Sequence, residues 1–204
     1  MMSNKTDRTK QHIITIFFEM MDELGFDKIT VAGLSKRAKI NRGTFYHHYV
    51  DKYALLEEVE EEMYSSFQQV MADHIGVTIK NKIDQYGRRN IPQFFKEACE
   101  KLMTFLYERK ELAQILIGEN GRPQFIERLE RLYIETVQIK LQNVSPEITE
   151  NEALQQEFVY YGAIAIVKRW LRTGAKQSPE EIAETLAKCL TTSPVHMFEE
   201  IESR

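Results

Sequence analysis

Apolar side chains recur along this chain at intervals of three and four residues, and no Val/Ile/Thr alternation of useful length interrupts them. That period is the signature of helices with one buried face, and with 9 Gly and 5 Pro there is little to break them. The pattern therefore predicts an all-α protein. His12 to Leu24 is the first clear case, with Ile13, Ile14, Ile16, Phe17, Met20, Met21 and Leu24 on one broad face, and Gly25 is placed to end it. Thr30 is a capping residue for a short helix whose buried side is Val31, Leu34 and Ala38. Asn41 caps a second short helix through Thr44, Phe45, His48 and Tyr49. Asp51 caps a longer one past Leu55, Leu56, Val59, Met63, Phe67 and Val70, stopping before Gly76.

The remaining segments are longer helices with few turns. One starts at Asn90 and Pro92, a shorter one covers Arg109 to Ile117 before the Gly118–Gly121 turn, and Pro123 restarts the chain toward Leu141. Thr149-Glu150-Asn151-Glu152 and Ser178-Pro179-Glu180-Glu181 both read as capping boxes, the second with proline at the first helical position. They open helices expected over Asn151 to Thr173 and Ser178 to Leu190. The first of these is apolar on nearly all sides from Phe158 to Leu171, so a partner is expected to cover it.

Charge is divided unevenly. The formal net charge is −4, yet residues 1–53 carry nine basic and six acidic side chains, leaving net −7 on the rest. A modestly basic head on an acidic body suits a protein that meets phosphates at one end only. No apolar run approaches the roughly 20 residues that span a bilayer, so no membrane partner is expected. The polar start of the chain lacks the apolar core of a secretory signal, and Cys99 and Cys189 stand alone, which predicts reduced thiols in a cytoplasmic protein. Neither a Ser-His-Asp ordering, an HExxH, a Gly-rich phosphate loop nor a CxxC pair occurs, and no enzyme activity, cofactor or metal is expected. His47 and His48 are adjacent, but neighbours on a helix point about 100° apart, a poor arrangement for shared ligation. His12, His74 and His196 are scattered.

The segment from Thr30 to Lys52 carries the functional signal. A short helix, the connection Lys39-Ile40-Asn41 and a second short helix fit a helix-turn-helix, whose second helix enters the major groove of DNA N-terminus first. Arg42 can fork to guanine O6 and N7, Thr44 can meet a thymine methyl or a phosphate, and Gly43 lets the backbone come close. Tyr46, His47 and His48 offer phosphate or base hydrogen bonds, and Lys52 sits where a helix start can hold a phosphate. Thr30 lies at the start of the first helix, with Lys36 and Lys39 nearby.

Gly25-Phe26 with Thr30-Val31, the alanine-bearing stretch to Ala38, and Gly43-Thr44-Phe45-Tyr46-His47-His48-Tyr49-Val50-Asp51-Lys52 together resemble the signature of the TetR/AcrR family of transcriptional regulators. The resemblance covers about a quarter of the chain. It implies an N-terminal three-helix helix-turn-helix DNA-binding domain over residues 1–53 joined to a helical ligand-binding and dimerisation domain over 54–204. It carries DNA contact onto Thr30, Arg42, Gly43, Thr44, Tyr46, His47, His48 and Lys52, and an inward-packed aromatic pair onto Phe45 and Tyr49. Tyr49 stands where phenylalanine is more usual. The implied partners are double-stranded DNA, a second copy of the chain, and a small-molecule effector held in a helical cage. Candidate cage residues from the middle helices are Phe67, Met71, Phe95, Cys99, Met103, Phe125, Leu129, Tyr133 and Tyr160, although the same stripe would equally fill a core. Candidate pairing residues from the last two helices are Phe158, Tyr161, Ala165, Trp170, Ile182 and Leu186. The expected product is a homodimeric, ligand-responsive repressor on a palindromic operator. Two alternatives stay open on sequence: a DNA-binding regulator or activator answering to a protein partner, and an all-helical enzyme built on scattered acids.

Overall fold

The computed structural model describes residues 3–75, 91–142 and 149–192, and every regular element among them is helical. In chain order these are α1 (Ser3–Leu24), a single 3-10 turn (Phe26–Lys28), α2 (Val31–Arg37), α3 (Arg42–His48), α4 (Lys52–Ile75), α5 (Ile91–Glu108), α6 (Lys110–Ile117), α7 (Pro123–Gln142), α8 (Glu150–Arg172) and α9 (Pro179–Thr191). The expected all-α architecture with an N-terminal helix-turn-helix is what the chain adopts. Gly76, Asn90 and His196 lie outside the described residues, as do the side chains of His74 and Leu141. Among the described residues no helix is long and apolar enough to cross a membrane.

Helix ends follow the capping chemistry. Thr30 accepts a hydrogen bond from Gly33 N, Asn41 from Gly43 N, and Asp51 Oδ1 from the amides of Tyr53 and Ala54. Both capping boxes close reciprocally, Thr149 with Glu152 and Ser178 with Glu181. Each side chain satisfies an amide that a helix start leaves without an intrahelical partner. At the other end, α1 runs into Gly25 at φ 79, and α8 ends in a Schellman motif, with Gly174 at φ 95 and Ala175 N bonded to Trp170 O at 2.9 Å.

The chain forms two compact units. The first joins residues 1–66 to 111–127. Its core is Ile13, Phe17 and Met21 of α1, Phe26 and Ile29 from the 3-10 turn, Leu34 and Ala38 around α2, Phe45 and Tyr49 behind α3, Leu55 and Val59 of α4, and Leu116 and Phe125. Asn120 ties the α6–α7 turn to α1 by donating to the Asp22 carbonyl at 2.9 Å, and Arg122 pairs with Glu60 at 2.9 Å. The second unit, residues 67–110 with 128–204, packs α9 along α5 through Ile182, Ala183, Leu186 and Ala187. Lys96 on α5 and Glu180 on α9 close that contact with an ion pair at 2.9 Å.

The α6–α7 turn is sterically closed at Gly121, where an added Cβ would lie 2.2 Å from the Leu116 carbonyl oxygen and 2.9 Å from that of Gly118. Since both obstacles are backbone, Gly121→Ala has to reopen the turn that positions Asn120 and Arg122. We expect that substitution to lower unfolding stability by about 2–3 kcal/mol. A denaturation midpoint equal to that of the parent would show that the turn is not packed in this way.

Candidate nucleic-acid interface

The seven residues of α3 are too few to hold a helix by hydrogen bonding alone. Packing holds it. Thr44, Phe45, His48 and Tyr49 form the inner side, with Phe45 wholly buried and its ring 5.8 Å from that of Tyr49. The Tyr49 hydroxyl donates to Glu58 of α4 at 3.1 Å, and Lys10 of α1 pairs with the same carboxylate at 2.9 Å. Burial, and then the charge of Glu58, raises the Tyr49 hydroxyl well above the usual phenol range, so it remains a donor. His48 is half-buried beside it, and burial, followed by the neighbouring His47 and Lys10, lowers its imidazole below the ordinary histidine value.

With the rear fixed, helical spacing puts Arg42, Gly43, Tyr46 and His47 on the opposite side, and all four are exposed. Tyr46 is 56% exposed, with its ring edge-on to Phe45 at 5.7 Å. Only the Asn41 side chain comes near the space a Cβ on Gly43 would occupy, so a surface can approach the backbone there. Amides at this helix start and the dipole behind them favour anions.

The connection into α3 depends on an unusual backbone. Lys39 adopts φ 53, and its amide reaches Lys36 O while Ile40 N reaches Ser35 O at 3.0 Å, which makes a Schellman ending for α2 with lysine where glycine is favoured. His12 Nε2 of α1 bonds the Ala38 carbonyl at 3.0 Å and braces this corner. Lys36 and Lys39 are exposed, whereas Arg37 is held by Glu19 and Glu23 of α1. That carboxylate contact raises the Arg37 guanidinium further and lowers Glu23.

The residues expected to form an effector cage divide. Phe125 lies in the first compact unit, whereas Phe67, Met71, Phe95, Cys99, Met103, Leu129, Tyr133 and Tyr160 lie in the second. Tyr133 and Tyr160 meet edge to face at 6.5 Å, and Tyr160 donates to Gln156 at 3.1 Å. Burial pushes the Cys99 thiol up to about 11, and burial, followed by Cys99 and Tyr160, raises the Tyr133 hydroxyl. The set expected to pair two chains divides as well. Phe158, Tyr161 and Ala165 are exposed on α8. Trp170, Ile182 and Leu186 are instead buried by their own chain, Trp170 Nε1 donating to the Gln177 carbonyl, which leaves them no surface for a partner. Among the described residues no three His, Cys, Asp or Glu side chains gather as a metal site.

Comparison with known proteins agrees with this geometry. The profile described as "Bacterial regulatory proteins, tetR family" matches residues 18–59, and a "Transcriptional regulator C-terminal region" profile, TetR_C_8, matches residues 93–192. The chain belongs to the TetR family of DNA-binding transcriptional regulators. It is 20% identical over 173 residues to the uncharacterized HTH-type transcriptional regulator YxbF of Bacillus subtilis, a match covering 81% of this chain. The chain spans 40% of the length of that relative. Its fold is similar to a TetR regulator from Streptococcus agalactiae 2603V, at TM-score 0.57 and 22% identity over 92% of this chain and 96% of that one. The fatty acid degradation regulator FadR from Bacillus halodurans aligns at TM-score 0.61 and 14% identity, over 89% and 94%. At those identities the likeness shows the fold.

Within this TetR-family chain, Lys52 has internal partners that its sequence position does not suggest. Its ammonium donates to the carbonyls of Phe26 at 2.9 Å and Asp27 at 3.1 Å, and lies 4.5 Å from the Phe26 ring centre. Lys52 thus ties α4 to the turn that precedes α2. Sequence reasoning also missed Lys10 and Glu58, because their roles come from contacts 48 residues apart. Hydrogen bonds from a charged group are worth about 1–2 kcal/mol or more when partly shielded, so Lys52→Met should lower folding stability by about that amount. Thermal or urea unfolding checks this. If stability holds while only the salt dependence of DNA binding flattens, Lys52 serves a phosphate and not the fold.

Proposed function

We propose that this TetR-family chain acts as a homodimeric, effector-responsive repressor that reads a palindromic duplex operator through a pair of α3 helices. The observation that carries the reading is the division of α3 into a buried rear at Phe45 and Tyr49 and an exposed front at Arg42, Gly43, Tyr46 and His47. A guanidinium on the leading edge suits a bidentate contact to guanine, while a phenol and an imidazole one turn later suit phosphate or base edges. Thr30, at the start of α2, would add a backbone contact, while Thr44 and His48, half-buried on the inner side of α3, would reach the duplex only at its edge. Residues 1–53 would then serve as the reading domain and 54–204 as the sensing and pairing domain.

An apolar effector with one or two polar groups suits the second unit, where Phe67, Met71 and Met103 supply buried adaptable surface and Cys99, Tyr133 and Tyr160 supply the polar handles. Repression would be relieved by population shift: an effector that binds better to a form with a different spacing of the reading helices lowers operator affinity. Pairing through α8 supplies the twofold axis that a palindrome requires.

Selection from random duplex DNA should return two inverted half-sites whose centres lie about 34–36 Å apart. On that operator Arg42→Ala should weaken binding by about 1–3 kcal/mol and relax preference at one base position per half-site, read by titration at fixed salt. Recovery of an asymmetric single half-site would remove the dimeric reading. Unchanged affinity of Arg42→Ala would remove α3 as the reading element.

A further inference from the structure

Lys52 opens α4, where a cationic side chain and free amides would together suit a phosphate, yet both are engaged inside the protein. Its ammonium is held by the carbonyls of Phe26 and Asp27. The amides of Tyr53 and Ala54 are taken by Asp51 Oδ1 at 2.9 and 2.8 Å, which also sets a carboxylate at that helix start. Like charge therefore keeps a phosphate away from it.

One polar group in the first turn of α4 is left open. Tyr53 is 61% exposed, and its hydroxyl has no hydrogen-bond partner among the described residues. The ring itself is held. It meets Phe26 edge to face at 5.2 Å, and the Lys52 ammonium lies 5.4 Å from its centre. A phenol gripped by its ring, with its tip in water, loses little freedom when the tip binds. Phe26 also fixes where this donor stands, because it belongs to the turn that leads through Lys28 to Thr30, the cap of α2. In a helix-turn-helix the first helix crosses the sugar-phosphate backbone while the second enters the groove. Lys28, in the same turn as Phe26, is exposed and makes no ion pair among the described residues. Val50, in the connection from α3, is 78% exposed, so the corner between the reading helix and Tyr53 is open to solvent.

We infer that Tyr53 is a further DNA-binding residue: its hydroxyl donates to a backbone phosphate flanking the bases that α3 reads, and Lys28 supplies the charge that Lys52 uses within the fold. The inference rests on the reading of α3 as the recognition helix and adds a contact outside it. Phosphates are the same in every sequence, so this contact adds affinity and register but no base preference.

Titration of the full-length chain against the operator selected from random duplexes, and against an unrelated duplex, at several salt concentrations tests it. Tyr53→Phe keeps the ring on Phe26 and removes only the hydroxyl. It should weaken both duplexes by the same factor, about threefold to tenfold, and leave the salt slope unchanged because no charge is lost. Lys28→Met should lower that slope by about one per protomer. Replacing single operator phosphates by neutral methylphosphonates locates the contact. At one phosphate in each half-site the difference between the parent and Tyr53→Phe should shrink, and at the others it should persist. Parent-like binding by Tyr53→Phe, while Arg42→Ala still weakens the operator, would overturn this inference and leave α3 as the reading element. If neither variant changes binding, the reading of α3 falls and this contact with it. A lower urea midpoint for Tyr53→Phe would assign the hydroxyl to the fold, and a loss confined to the operator would assign it to a base edge. Either result overturns the phosphate contact, as does a difference that persists at every phosphate. An unchanged slope for Lys28→Met would overturn the pairing of the phenol with that charge.

Discussion

The burial of Phe45 against Tyr49 is the contact on which the exposed front of α3 depends. A two-turn helix has no stability of its own, and burying one phenylalanine contributes about 1.5–3 kcal/mol toward offsetting the cost of ordering it. Tyr49 adds a constraint that phenylalanine at this position would not. Its hydroxyl has to be satisfied inside the protein, and Glu58 accepts from it while Lys10 balances the carboxylate. Three helices therefore converge on one phenol, and the direction in which Arg42 and Tyr46 face solvent follows from that convergence. The more usual phenylalanine would supply the apolar contact without the polar link to α1 and α4.

Basic residues in this region divide by partner more than by position. Arg37 is bound by two carboxylates of α1, and Lys52 by two carbonyls and an aromatic ring. Both act on the architecture that aims α3. Arg42, Lys36 and Lys39 are left facing solvent. The basic excess of the first 53 residues thus overstates the charge available to phosphates, and a count of cations from sequence cannot separate the two classes.

Most of the fold was legible because its signals are local. Caps at Thr30, Asn41, Asp51, Thr149 and Ser178 act within a few residues, and the structure places a helix after each. The exposed front of α3 was legible for the same reason, since spacing decides which residues share a face. Contacts distant in sequence were not. Nothing near Trp170, Ile182 or Leu186 indicates that α9 turns its apolar side onto α5 of its own chain, and apolar character alone fits an intrachain core and a dimer face equally. Lys39 illustrates another limit: its positive φ is imposed by the closing hydrogen bonds of α2, and no glycine marks it.

Two surfaces left open among the described residues each lack something that a second copy would supply. A single α3 offers four exposed residues over two turns, a footprint too small to select one site among many. Phe158 and Tyr161, exposed beside an apolar groove on α8, make a face that water solvates poorly and no segment of the described chain covers. A twofold pair through α8 removes that apolar face from water. It also doubles the reading edge and links the second binding event to the first, so affinity rises through effective concentration without any new contact per protomer. One symmetry operation thus answers both deficits, whereas a heterologous partner on α8 would cover the apolar face and leave the reading edge single.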